Sequence, residues 1–433
     1  RDSSLKKIDL SSTKLTSIKE NMFKYANELE EVVLPDSLTT IEETAFIVCN
    51  KLKKVNFPAS LTTIESNAFN GCSSLEEIDI SGVTSIGNGA FEGCSSLKTV
   101  KLSESLTFIP DNAFKGCSSL ESIEIPDSVT ALGSGCFASS GLITIRLSAK
   151  VNTIGGGALS APSLIRITAD KDNATYTVKN GFLIEDGVKI VAFPNGKPFV
   201  ADETLVLPDG VTNIASDVFA NNVNVKKVSV PSTIVKIPDG AFRSFKGLEE
   251  VTLADGITEI GNDAFNGCVS LNKINLPSSL VKIGENAFNG CVSLAAIDFS
   301  TTNPEVVLSE GAFNGAGLTT LDLSSLNMKT MSDRAFFGCE SLIEVKLPKN
   351  LERIGNSAFN GCISLEKVEF GSELTYIDVA AFNGCSALQS VELPESLTNL
   401  MYSAFQNSGL TSVTLPKGVT EVGNAVFSGC KQL

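Results

Sequence analysis

Apolar and polar positions along this chain repeat in a unit of 22 or 23 residues, cleanest in LNKINLPSSLVKIGENAFNGCVS at residues 271–293. The unit opens with the alternation of a short β-strand, which puts Leu271, Ile274 and Leu276 inward and Lys273 and Asn275 outward. Pro277 closes that segment, as Pro35, Pro58, Pro126, Pro231, Pro348, Pro394 and Pro416 do in other units. Proline has no amide hydrogen to give to a ladder, so it suits a strand end that runs into a turn. A second extended piece at residues 280–283 leads to Gly284, and residues 285–289 are too few for a free helix. They fit one helical or 3₁₀ turn, closed by Gly290 in the left-handed region.

Each unit carries an aromatic anchor after a small residue. Phe23, Phe46, Phe69, Phe91, Phe114 and Phe137 are followed by Leu159, and the series resumes at Phe219, Phe242, Phe265, Phe288, Phe313, Phe336, Phe359, Phe382, Phe405 and Phe427. One coil cannot bury such residues alone. Copies must stack strand beside strand at about 4.8 Å, so the expected fold is a repeat solenoid of short parallel β-strands and tight turns, an elongated, curved rod. The repeat divides the chain into a block at residues 1–167, an island at 168–204 and a second block at 205–433. In the island, residues 176–184 and 188–193 alternate as strands around Glu185-Asp186-Gly187, a hairpin signal. The island reads either as a binding or hinge element or as a tolerated spacer, packed on the rod or projecting from it. It holds the chain's one N-glycosylation sequon, at Asn173.

Ten of the eleven cysteines fall three residues after an anchor, from Cys49 to Cys430, and form a column. Neighbours in such a column approach the Cα separation of a disulfide, and thiolates can hold a metal. However, Ala26, Asn222 and Phe245 occupy the same register, and four shorter turns omit the cysteine together with one residue. A small buried apolar residue accounts for the pattern with no metal and no cofactor.

Outward strand residues form two columns. One alternates in sign, as in Lys7, Glu31 and Lys54, and opposite charges on neighbouring strands relieve repulsion. In the other, Asp298 beside Asp322 and Glu369 beside Glu392 are like-charged neighbours that a cation or partner would offset. With Lys346 between Asp322 and Glu369, they are the candidate contact residues. Neither column contains an aromatic residue, so contacts there are expected to be broad and polar.

Formal charge is −15, which disfavours nucleic acid and anionic lipid as partners. Histidine is absent, which removes histidine-based catalysis and histidine metal sites, and no convergent set of catalytic groups replaces them. No apolar run reaches the 18 or so residues of a membrane span, and the chain starts inside a repeat with no signal-like segment.

The string I-x-L-P-x-S-L-T-x-I-G-x-x-A-F-x-G-C resembles the BspA-type leucine-rich repeat, and the resemblance covers about nine tenths of the chain, with NGFLIEDGVKIVAFP similar to interruptions in that family. It implies an extracellular or cell-surface protein that adheres to matrix or cell-surface proteins, with no active-site motif to transfer. The alternative is a structural subunit that assembles end to end into a filament or layer, since open solenoid ends expose apolar coils and neither terminus shows a polar cap.

Overall fold

The computed structural model describes residues 4–200 and 202–433. It is a parallel β-solenoid in which two compact units are distinguished, Arg1–Pro198 and Phe199–Leu433. In the first, strands Lys7–Asp9, Glu31–Val33 and Lys54–Asn56 pair in parallel with Ile8 opposite Val32 and Val32 opposite Val55. A second ladder joins Ser17–Ile18, Thr40–Ile41, Thr63–Ile64 and Ser85–Ile86. In the second unit the same two ladders recur, for example Lys227–Val230 with Glu250–Leu253, and Lys236–Ile237 with Glu259–Ile260. Residues exactly one repeat apart are partners because a one-residue slip would turn the apolar face outward.

The turn between coils forms a third ladder. In a full turn three amides donate to the next coil: Asn286, Phe288 and Gly290 to the carbonyls of Glu310, Ala312 and Asn314, at 3.1, 2.8 and 2.8 Å. The carbonyls of Glu285, Ala287 and Asn289 accept in turn from Asp263, Phe265 and Gly267. Each such peptide group therefore receives from the coil before and gives to the coil after, and columns of aligned dipoles run along each unit, with mutual polarisation strengthening the bonds. Left-handed residues make this possible, with φ of 52° at Asn286 and 69° at Gly290. The i→i+3 bonds expected of a 3₁₀ turn are present, from Ala287 to Gly284, Asn289 to Asn286 and Cys291 to Phe288. The left-handed Asn286 interrupts them, so no helix forms among the described residues.

Inside this frame the anchors stack. Ring centroids of consecutive phenylalanines from Phe23 to Phe137 lie 5.0–5.8 Å apart with planes within 11°. From Phe219 to Phe427 the spacing is 5.0–6.1 Å. This is the offset stacking that ring quadrupoles favour. Phe57, Phe299 and Phe370 meet the anchor of their own coil edge-on.

The island packs on the first unit. Tyr176, Leu183 and Ala192 belong to the same buried cluster as Leu164 and Ile167 of the preceding coil. Residues 176–184, expected as one strand, are two: Tyr176–Lys179 and Phe182–Glu185 are antiparallel, and Lys189–Ala192 completes the meander. The break is Asn180-Gly181, whose φ of 55° and 87° make a tight hairpin turn. Asn173 holds the island's entry. Its side-chain nitrogen donates to the carbonyls of Ser148 and Val151 at 2.8 and 2.9 Å, and its oxygen accepts the amides of Thr175 and Tyr176. A sugar on that nitrogen would leave it one hydrogen for two acceptors, in a residue only 7% exposed.

Phe288 is fully buried between Phe265 and Phe313, so Phe288→Ala is expected to cost about 3–5 kcal/mol in denaturant unfolding; an unchanged midpoint would refute this placement. Ala380 has φ of 55°, where a Cβ is strained. Ala380→Gly should therefore raise stability by about 0.5–1 kcal/mol, and a loss on the same measurement would show that the left-handed geometry is wrong.

Candidate partner-binding face

The outward side chains of the first ladder follow the pairing register. Lys7 and Glu31 meet at 3.1 Å, Glu250 and Lys273 at 2.6 Å, and Glu344 and Lys367 at 2.8 Å. These exposed pairs hold neighbouring coils in register at a few tenths of a kcal/mol each. Of the five candidate contact residues, three stand together in one sheet: Asp322 is opposite Lys346, and Lys346 opposite Glu369, on Thr320–Asp322, Glu344–Lys346 and Lys367–Glu369. Glu369 is bound by Lys367 at 2.5 Å, which lowers its carboxyl below the ordinary value, while Glu344 first and Glu369 second raise the Lys367 ammonium.

Asp298 and Glu392 stand apart. Residues 294–299 and 388–393 form no strand, although the carbonyls of Ala295 and Gln389 still accept the amides of Thr319 and Thr411 from the following coils at 2.9 and 3.0 Å. Asp298 is therefore not paired in strand register with Asp322, nor Glu369 with Glu392. Repulsion is not the general cause, because residues 121–125 open in the same way around Glu124, whose register neighbours Lys101 and Arg146 are cations.

Asp298 and Asp322 also have local work that the sequence pattern holds in plain view. Where most coils place proline after the strand, these coils have serine, whose amide needs an acceptor. The residue two before it is aspartate, and Asp9, Asp79, Asp298 and Asp322 accept the amides of Ser11, Ser81, Ser300 and Ser324 at 2.8–3.1 Å. The serine hydroxyls and amides hold the carboxyls of Asp298 and Asp322 below the ordinary value of 3.8, so both are charged at neutral pH. In both, the bonds to serine fall on Oδ1.

The cysteine column is buried except for the half-buried Cys430, free of disulfides and more specific than apolar filling requires. Every thiol in the register donates to the carbonyl of the preceding coil's anchor, as Cys72 to Phe46 at 3.1 Å and Cys268 to Phe242 at 3.0 Å, with the other eight at 3.1–3.3 Å. Phe245 fills the same place by stacking on Phe219 at 5.1 Å. Burial pushes the thiols of Cys117, Cys268 and Cys339 up to about 12. Such thiols are not nucleophiles at neutral pH. No group of three or more metal-ligating side chains is found among the described residues, and no helix there is long and apolar enough to cross a membrane.

A family model described as the BspA type leucine rich repeat region matches residues 1–84, 77–182, 212–325 and 306–433. A leucine rich cell surface protein from Faecalibacterium prausnitzii A2-165 is similar in structure at a TM-score of 0.54 and 28% identity, over 84% of this chain and 82% of that one. A leucine-rich repeat protein from Eubacterium ventriosum ATCC 27560 is similar at a TM-score of 0.51 and 22% identity, over 92% of this chain and 87% of that one, and shows the fold alone. No curated protein matches by sequence.

The raised thiols set a direction for alkaline lability. In the unfolded chain they ionise near 9, whereas in the folded chain Cys117, Cys268 and Cys339 stay protonated to about 12. Their contribution to stability is whole below pH 9 and falls between about 9 and 12, by about 1.4 kcal/mol per pH unit for each thiol. Urea unfolding at pH 7 and pH 10 is expected to show a marked loss at pH 10, with thiol reagents inert toward the native protein at pH 7. Equal stability at both values would place the thiols in water.

Proposed function

We propose, from the premise that this chain belongs to the BspA-type leucine-rich repeat family, that it is a non-catalytic protein-binding or adhesion module of a cell-surface or secreted protein, engaging a matrix or cell-surface protein through the outward face of its first ladder. The observation that carries this reading is the arrangement of Asp322, Lys346 and Glu369 on three adjacent strands in fixed register. Their backbones are locked by the coils on either side, so a partner meets a preorganised row of charges and loses little ordering entropy there. Asp298 and Glu392 flank that row on coils that form no strand there, and extend it at both sides.

The similarity to a leucine rich cell surface protein of Faecalibacterium prausnitzii supports a surface location. A non-catalytic role is supported by the absence of histidine from the sequence and by the burial of the cysteine column. Without aromatic anchors the face gains affinity from many weak polar contacts, which favours a large partner over a small molecule.

The test is surface plasmon resonance against a panel of extracellular matrix proteins, comparing the native chain with an Asp298→Asn, Asp322→Asn, Glu392→Gln variant. Binding to at least one matrix protein is expected, weakened roughly tenfold by the triple change and further by salt. Binding that is indifferent to the variant removes the face, and binding to none removes the adhesion reading.

A further inference from the structure

We propose that Asn180, at the tip of the island's first hairpin, is a site of spontaneous covalent modification. Its side-chain amide is displaced by the Gly181 nitrogen and the residue becomes aspartate and isoaspartate, while hydrogen bonds of the fold keep the other Asn-Gly pairs of the chain inert. The proposal concerns the chemistry of the chain itself and is independent of what the outward face binds.

Asn-Gly occurs nine times, at Asn70, Asn88, Asn180, Asn195, Asn266, Asn289, Asn314, Asn360 and Asn383. In eight of these the glycine amide is bound. Gly71, Gly89, Gly267, Gly290, Gly315, Gly361 and Gly384 donate to a carbonyl of the next coil at 2.7–2.8 Å, and Gly196 donates to the carbonyl of Leu164 at 2.8 Å. Among the nine, the amide of Gly181 alone has no acceptor. The reason is the turn it sits in. Lys179 and Phe182 pair with each other across a two-residue loop, and Asn180 and Gly181, both left-handed, lie outside the ladder. Asn180 is also exposed. Of the other eight asparagines only Asn88 shares that exposure, and its Gly89 is buried with the amide committed to the carbonyl of Asp111.

Glycine has no side chain to hinder its nitrogen or restrict its rotation. The Gly181 amide gives its proton to water or hydroxide, and the nitrogen attacks Cγ of Asn180. The new C–N bond closes a five-membered succinimide, the Cγ–Nδ2 bond breaks, and ammonia leaves with a proton from solvent. Water then opens the ring. Cleavage of the nitrogen from Cγ gives aspartate, and cleavage from the main-chain carbonyl carbon gives isoaspartate. In the coils the same attack must first break the glycine's hydrogen bond and turn its peptide group out of a ladder that the stacked rings hold in place. Opening that bond and its neighbours slows the reaction there roughly tenfold or more. At Gly181 no hydrogen bond of that amide is lost. Isoaspartate carries one more carbon in the main chain, so the loop no longer closes Lys179 opposite Phe182 in the same geometry. The tip loosens, while Tyr176 and Leu183, in the core of the first unit, hold the base of the hairpin.

The experiment incubates the full folded chain at pH 8 and 37 °C and maps its peptides by mass spectrometry, with fragmentation that separates isoaspartate from aspartate. All nine pairs are read in one sample, so eight serve as internal controls. Asn180 is lost at least about tenfold faster than any of the others, and the rate rises with pH, as attack by a deprotonated nitrogen requires. In urea the nine rates converge, because the hydrogen bonds that separate them are gone. In the modified protein the amides of Lys179 and Phe182 exchange faster with solvent, while strand Lys189–Ala192 keeps its protection. Loss at Asn180 no faster than at the coil sites of the folded protein would overturn the proposal. The same ranking in urea would overturn it too, since the selectivity would then lie in neighbouring residues and not in the fold. Unaltered exchange at Lys179 and Phe182 after modification would remove the loosening of the tip.

Discussion

Everything in this fold depends on like lying over like at the turn. A phenylalanine can stack at 5–6 Å on the next phenylalanine only if the coils that carry them repeat the same backbone path. Inter-coil hydrogen bonds between peptide groups, three in a full turn, enforce that path. The two devices need each other, since the rings fill the space that the left-handed residues open, and the hydrogen-bonded columns fix the ring spacing. A third link, from each thiol to the anchor carbonyl of the coil before, ties the longer turns into the same order.

That constraint separates what the chain must keep from what it is free to vary. Inward positions are held to leucine, isoleucine, valine, alanine and phenylalanine by close packing. Outward strand positions meet only their register neighbours and solvent, so they carry charge patterns of either kind, alternating where the ladder is closed and acidic at Glu124, Asp298 and Glu392 where it is open. The face available for recognition is thus a by-product of stacking: rigid in backbone, adjustable in side chain, and modified wherever the first ladder opens while the turn ladder continues beneath it.

Much of this was legible in the residues. The strand and turn positions, the column of anchors, the register of the charged pairs and the left-handed Gly290 follow from spacing and from what proline and glycine can do. Other features were hidden for definite reasons. The left-handed residue two before each anchor is asparagine, glycine, serine, aspartate, threonine, arginine or alanine in different coils, and no single residue type marks it. Asn180-Gly181 was masked by the apolar residues around it, although the dipeptide itself is a hairpin signal. The Asp-x-Ser substitute for proline becomes visible only when coils are laid over one another and the serine amide is seen to need an acceptor.

What the sequence by itself determined is the coil: its length, its inward face and the need to stack, because periodic burial of apolar residues has one economical solution. The tertiary structure decided where the stack is interrupted and what that exposes. It placed the island's meander in the core of the first unit, committed Asn173 to four hydrogen bonds, and opened the ladder around Glu124, Asp298 and Glu392. The packing of the island on the preceding coils, the bonds from Asn173 to Ser148 and Val151, and the opening of the ladder depend on contacts between residues twenty or more positions apart, whose energies are comparable to a single hydrogen bond, and a local pattern does not contain that information.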